Sequence, residues 1–473
     1  MIFLSKFRLW FFNNFEKNLI QKDLITKKNK KSYFSLIQCP QDELFFNCFK
    51  DQIKNEPMAS FGGINPKLGY PSFYGWILFI PNLLHKIHLL MIRKKWNKIY
   101  ASIGVDLFFH SDKLPFIKKI LNFWKAAIFF IKLNDKNKLL EHSFKSIRCG
   151  ELIYDSYIRF NKKPTVNILD PTLILYIQDC YNQICYFENL ISKYKIKNYY
   201  TSYSTYIAHG IPVRVFLKNN INVYSFAHFG EKNYNLKVKK LTKTDTAQVK
   251  PHWKFKEVFK TLENKNKLYK EGLIKFKKRF SGENDLDFMN INQYDSNYSS
   301  PKLEYKFDGV VFIGDFFDSQ HIYRKMVFND LYEWLIYTIN ISLNYDLNIG
   351  FKPHPNQLLG SKKIIDKIKM KYPDVKWINP KTSNKLIFNS GICYGISVYG
   401  SVIPELAFNK IIPICCADNP ASDYNFMFEA KTVKEYKEIL INPQKFKFKK
   451  NLMKQLGEYY YMQNIYKGFN QKK

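Results

Sequence analysis

The stretch "GVVFIGDFFDSQHIYR", residues 309–324, decides how the second half of the chain is read. "GVVFIG" is apolar without alternation. A strand with one wet face alternates, whereas a strand covered on both faces does not, so this one reads as the buried, parallel kind. A glycine and the acidic, turn-prone "DFFDSQH" then stop it. The same punctuation recurs downstream: "LNIGF" runs into "KPHPNQ", and "GICYGI" into "SVYGSVIPE". "VKWIN" and "KIIPICC" read as two further strands. Helical periodicity fills the gaps at 330–343, 362–372, 384–389 and 404–408. Alternating strands and helices of these lengths predict a doubly wound parallel sheet.

Further upstream, residues 195–230, "KIKNYYTSYSTYIAHGIPVRVFLKNNINVYSFAHFG", read as strand (198–202), helix (206–218) and strand (221–226), a second βαβ unit. Two such units predict an α/β chain of two Rossmann-like doubly wound domains facing a cleft. Residues 231–300 are charged and punctuated. They read as a long excursion ending in a polar, turn-rich interdomain linker at 281–300. The expected division is residues 1–300, 301–445 and a helical tail at 446–473.

Composition narrows the function classes. A net charge of +34 on 473 residues suggests a polyanionic partner. Only seven of the 74 basic residues are arginine, however, and the rest are lysine. No recognition-helix, zinc-finger or RNP-type motif is present, so nucleic acid is not an expected partner. An anionic membrane surface or a phosphate-bearing substrate suits the charge better. The eight cysteines form no C-x-x-C pair or ligand quartet, as suits reduced thiols in a cytoplasmic protein, and no metal site is expected. The most apolar window, "SFYGWILFIPNLLHKIHLLMI" (72–92), is broken by Pro81, Asn82, His85, Lys86 and His88. It reads as a buried helix pair rather than a span, with a membrane-surface element as the alternative.

Ligands in open α/β sheets bind beyond the carboxyl ends of the strands. Three polar loops are therefore expected on one rim. The first carries Asp315, Asp318, His321 and Arg324. The second carries Lys352 and His354, stiffened by Pro353 and Pro355. In the third, Gly400 and Ser401 precede a helix whose free N–H groups suit a phosphate, and Glu405 one turn on suits a ribose diol. A cation or donor such as Lys352 or His354 beside a departing phosphate stabilises its growing charge. On the N-terminal side, "GELIYDSYIRF" (150–160) starts a helix with Asp155 and Arg159 four apart, which reads equally as a surface pair. His209 and His228 flank the βαβ unit.

These motifs, "GDFFDSQHIYRKMVFNDLYEWL", "GFKPHPNQ", "YGSVIPELAFNKIIPI" and "GELIYDSYIRF", together resemble bacterial surface and capsular polysaccharide biosynthesis proteins over residues 145–425. The resemblance implies a GT-B glycosyltransferase without a metal requirement. In HP-motif sugar transferases of the Kdo and sialic-acid type, the matching histidine and serine contact the nucleotide phosphate. This implies His354 and Ser401 at phosphate and Glu405 at ribose. Lys352, Gly400, Asp318 and Arg324, read from the loops of the same rim, are expected in the donor site with them. No acidic motif matches the sialyltransferase base, so Asp155, with His228 behind it, is the expected general base. The expected substrates are a nucleotide-sugar donor, CMP- or CDP-linked, and a glycan or lipid-linked acceptor, handled at the inner face of the cytoplasmic membrane. A CDP-polyol phosphotransferase and a non-catalytic membrane-surface binder are the rival readings.

Overall fold

The computed structural model describes residues 33–38, 58–62, 105, 107–110, 114–201, 204–227, 237–241, 252–283, 294–295, 298–323 and 325–466. The first unit has strands β1 (Tyr33–Gln38), β2 (Met58–Gly62) and β3 (Leu107–His110). Helices α1 (Phe116–Ile131) and α2 (Lys136–Leu140) and the short hairpin β4 (Ser143–Phe144)/β5 (Ile147–Arg148) follow. Then come α3 (Gly150–Asn161), α4 (Thr172–Lys193) and β6 (Lys195–Thr201). A π-turn, Tyr206–Gly210, runs into α5 (Ile211–Lys218), and β7 (Asn222–Ala227) and β8 (Lys237–Leu241) close the unit. The sheet order is β3-β2-β1-β6-β7-β8, parallel throughout except for β8. Leaving out the small hairpin, this is the 3-2-1-4-5-6 order of dinucleotide-type sheets, with its switch point between β1 and β6.

Two helices follow, α6 (Phe255–Thr261) and α7 (Lys265–Phe280). The second sheet then interleaves β9 (Gly309–Ile313), α8 (Leu331–Asn344), β10 (Ile349–Pro353), α9 (Leu359–Lys371), α10 (Asn384–Asn389), β11 (Tyr394–Ile396), α11 (Val402–Phe408), β12 (Ile412–Cys415), β13 (Phe428–Glu429), α12 (Val433–Ile441) and α13 (Leu452–Tyr460). Its order is β10-β9-β11-β12-β13, all parallel. That is the 2-1-3-4-5 order, which switches between β9 and β11. Val311 and Ile313 of β9 pack with Trp334 and Leu335, whereas Val310 and Phe312 pack with Ile387 and Leu406. Apolar layers on both faces explain the unbroken apolar run.

Two sequence expectations are corrected here. "VKWIN" is not a full strand: only Trp377 bridges, to Phe351, beyond the sheet's edge. The stretch from 252 to 280 is not a loose excursion. Phe255, Phe259 and Phe276 are buried with Ile403, Cys415 and Leu456, so α6 and α7 pack on the second unit rather than the first. The α7–α13 crossing is backbone-close. A Cβ on Gly272 would lie 2.1 Å from the Gly457 carbonyl oxygen, so only glycine allows the contact. Most of the 281–300 segment, and all of 72–92, lie outside the described residues.

Candidate functional site

Because β9 is flanked by β10 and β11, the loops after all three strands lie side by side. Strands sit about 4.8 Å apart, so the loops after β10 and β11 are separated by roughly 10 Å across the switch point. Asp315 ties two of them together. Its Oδ1 accepts the Phe317 N–H at 2.8 Å and the Ser361 hydroxyl at 2.9 Å, and its Oδ2 accepts the Leu358 N–H at 2.7 Å. The K-P-H-P loop is thus pinned by a carboxylate as well as by its prolines.

His354 stands on this loop with its side chain exposed. Its Nδ1 accepts the Asn356 N–H at 3.1 Å, which assigns the ring proton to Nε2. Crowding by protein atoms lowers its pKa, and the Lys352 ammonium lowers it further, against Asp315 and Asp318. Solvent screens these charges at an exposed ring, so the direction is what counts: a neutral imidazole presenting Nε2–H. Across the switch point Gly400 has φ +151°, a conformation that favours glycine. Ser401 beside it is exposed and its hydroxyl makes no cap bond. Ser397 starts this loop, and its hydroxyl bonds the Phe312 and Tyr399 carbonyls.

Lys352 and Glu405 are not on the rim surface. Lys352 is the fourth residue of β10, and strand alternation turns it away from Phe351, toward Phe312. It is buried, its Nζ donates to Asn384 Oδ1 at 2.8 Å, and desolvation drags its pKa down to about 7 although Glu405 opposes the fall. Glu405 is also buried. Arg279 of α7 donates to its Oε1 at 3.0 Å, and Tyr294 to its Oε2 at 2.9 Å. A desolvated carboxylate needs such partners, and here they occupy the oxygens expected to meet a ribose.

Asp155 and Arg159 do not pair with each other. Both turn from α3 to the loop after β9: Arg159 Nη1 donates to the Phe317 carbonyl at 2.7 Å, and Asp155 Oδ1 lies 2.6 Å from His321 Nδ1. The other ring nitrogen of His321 faces the Asn329 carbonyl at 3.1 Å. Burial alone would lower the His321 pKa, but the charge and hydrogen bond of Asp155 outweigh it and raise it. Asp155 is therefore enclosed and already bonded, which corrects its assignment as the base. Tyr154, one residue before, donates to Asp330, the N-cap of α8. The helix face read from "GELIYDSYIRF" is an internal contact between the units.

Asp318 is exposed, and its charge reaches residues on both sides: Tyr206 of the first unit, and Tyr323, Tyr399 and His354 of the second. Burial, then Asp318, pushes Tyr323 up to about 12. His209 is buried and desolvation pulls its pKa down to about 4, leaving it neutral. Arg324 and His228 lie outside the described residues.

Sequence reading missed three hydroxyls. Ser204, Thr205 and Tyr206 follow β6 at the first unit's switch point. All three are at least nine-tenths buried, and none of their hydroxyls has a hydrogen-bond partner among the described residues. The Ser319 hydroxyl is close enough to influence Tyr206 without reaching bonding geometry. Tyr206 also has φ +57°, a left-handed conformation that a bulky residue rarely holds. The Arg159 guanidinium lies 5.9 Å from its ring centroid. The only sequence signal was the polar run "TSYST" between a strand and a helix.

Among the described residues no group of three or more His, Cys, Asp or Glu side chains is placed to hold a metal, the six cysteines are free, and no helix is long and apolar enough to cross a membrane. No family model and no curated protein matches the chain. Among solved structures it is similar to Thermosulfurimonas dismutans KpsC, beta Kdo 2,4 transferase, with 11% identity over 53% of this chain and 75% of that one, at a TM-score of 0.32. At that score the likeness fixes neither fold nor chemistry.

Proposed function

We propose that the protein is a glycosyltransferase of GT-B-like build, moving a sugar from a nucleotide-linked donor to a carbohydrate or lipid-linked acceptor. One observation carries the reading: the switch point between β9 and β11 brings an exposed, neutral His354, held by the Asp315-pinned loop, to the same rim as exposed Ser401. Switch points are where open α/β sheets take nucleotides.

In this reading the donor phosphate lies across the rim, with His354 Nε2–H and the Ser401 hydroxyl as donors to its oxygens. The acceptor approaches from the first unit, whose loop after β6 carries Ser204, Thr205 and Tyr206 beneath its surface. Asp318, exposed between the two sides, takes the acceptor proton in place of Asp155. The acceptor oxygen bonds the anomeric carbon as the carbon–oxygen bond to phosphate breaks. The electron pair leaves with the nucleotide, where His354 offsets the developing charge. Lys352, Glu405 and Arg279 form the buried polar base beneath this rim.

A thermal-shift screen against CMP, CDP, UDP, GDP and ADP tests the reading. One base class is expected to raise Tm selectively, because a ligand that binds only the native state stabilises it by about 2.7 kcal/mol at a hundredfold excess over Kd. A flat response across the panel contradicts it.

A further inference from the structure

Helix α1 packs Ala126, Phe129 and Phe130 on the core, yet unlike an ordinary surface helix it is apolar on its outer face as well. Its polar Asn122 points inward and donates from Nδ2 to Asn182 Oδ1 of α4 at 2.9 Å, while Gln178 of α4 donates to the Lys119 carbonyl at 3.1 Å. These bonds fix the rotation of α1. They turn Phe116, Ile117, Leu121, Trp124, Ile128 and Ile131 outward, each between 51% and 80% exposed. At 3.6 residues per turn they form one stripe about 140° wide. Lys118, Lys125 and Lys132, seven residues apart and all exposed, form a row along one edge of it. No acidic residue lies within the helix.

We propose that α1 docks the protein on an anionic lipid bilayer, lying in the plane of the interface. An apolar stripe beside a lysine row is what an in-plane helix needs: the apolar side chains enter the acyl boundary while the lysines reach the anionic headgroups. Sixteen residues make a helix about 24 Å long, too short to span the hydrocarbon core. The chain's net charge of +34 acts in the same direction. A second copy is a poorer occupant, because two such faces bring together lysine rows with no acid on either helix. The inference is independent of the rim reading.

Co-sedimentation with vesicles of phosphatidylcholine, with and without phosphatidylglycerol, tests it. The protein is expected to bind the mixed vesicles and to release as salt rises. Leu121→Ser/Trp124→Ser/Ile128→Ser is expected to abolish binding. Lys118→Glu/Lys125→Glu/Lys132→Glu is expected to weaken it about tenfold or more. Should the serine variant fail to fold, Trp124→Phe serves instead: it still binds but loses tryptophan quenching by acyl-brominated lipid. Failure of the native protein to bind overturns the proposal. So do α1 variants that bind like the native protein, salt-insensitive binding to neutral vesicles, or a lipid-free dimer that the serine variant breaks.

Discussion

Asp155 and His321 clasp across the contact between the two units: Oδ1 lies 2.6 Å from Nδ1, and Asp155 Oδ2 also accepts the His321 backbone N–H at 3.2 Å. Two residues 166 positions apart thus join helix α3 to the loop that follows β9. Breaking a buried pair leaves an uncompensated charge, so Asp155→Asn is expected to cost about 3 kcal/mol in urea unfolding. The pH dependence has a definite sign. His321 has a raised folded pKa, so its contribution is fully present below the unfolded value of about 6.5 and is lost as pH rises through the folded pKa. The gap between native protein and variant is expected to shrink at alkaline pH; a pH-independent gap removes the ion pair from the account.

Glu405 separates a structural role from a substrate role. With Arg279 and Tyr294 on its oxygens, Glu405→Ala removes the carboxylate that both of them bond inside the protein and is expected to lose about 3–5 kcal/mol. If Glu405 held the ribose instead, the variant would keep its Tm and lose nucleotide affinity. Thermal melts with and without nucleotide distinguish the two.

Lys352 carries the opposite pH signature to His321. Its folded pKa is depressed to about 7, so between there and the unfolded value the unfolded chain binds the extra proton and stability rises with pH. Lys352→Met removes a buried ammonium. It is expected to be more stable than the native protein by a few kcal/mol at about pH 6, with the difference vanishing only above about pH 11. Equal denaturation midpoints at both ends contradict this.

Much of the second sheet was legible because its signal is local. Apolar runs punctuated by turn-prone residues placed β9, β10, β11 and β12 to within three residues, and the helices between them followed. The three loops could be put on one rim because parallel strands share a direction. Strand order, and hence the switch point beside β9, depends on pairing between distant segments and left no local trace. The same holds for Glu405 with Arg279, 126 positions apart. "KPHP" looked like a uniform loop, yet strand pairing extends through Pro353, so Lys352 turns inward while His354, two residues on, stays in solvent. The left-handed backbone of Tyr206 was equally invisible, since tyrosine gives no hint of a positive φ.

Tyr206 offers a test of the buried hydroxyls after β6. Its hydroxyl is buried without a partner, so Tyr206→Phe is expected to leave stability unchanged or raise it by about 1 kcal/mol. Urea unfolding of the two proteins checks this, and a loss of more than about 1 kcal/mol in the variant means that the hydroxyl has a partner.

The central claim is that the rim at His354 takes the phosphate of a nucleotide. Calorimetric titration of the nucleotide selected by thermal shift, into the native protein and into His354→Ala, measures this directly. The ring is exposed and, among the described residues, bonds only its own loop, so the variant is expected to keep its Tm. The account predicts saturable one-site binding to the native protein, weakened about tenfold or more in His354→Ala, as for loss of a hydrogen bond to a charged group. Equal affinities in the two proteins, or no binding to the native one, contradict it.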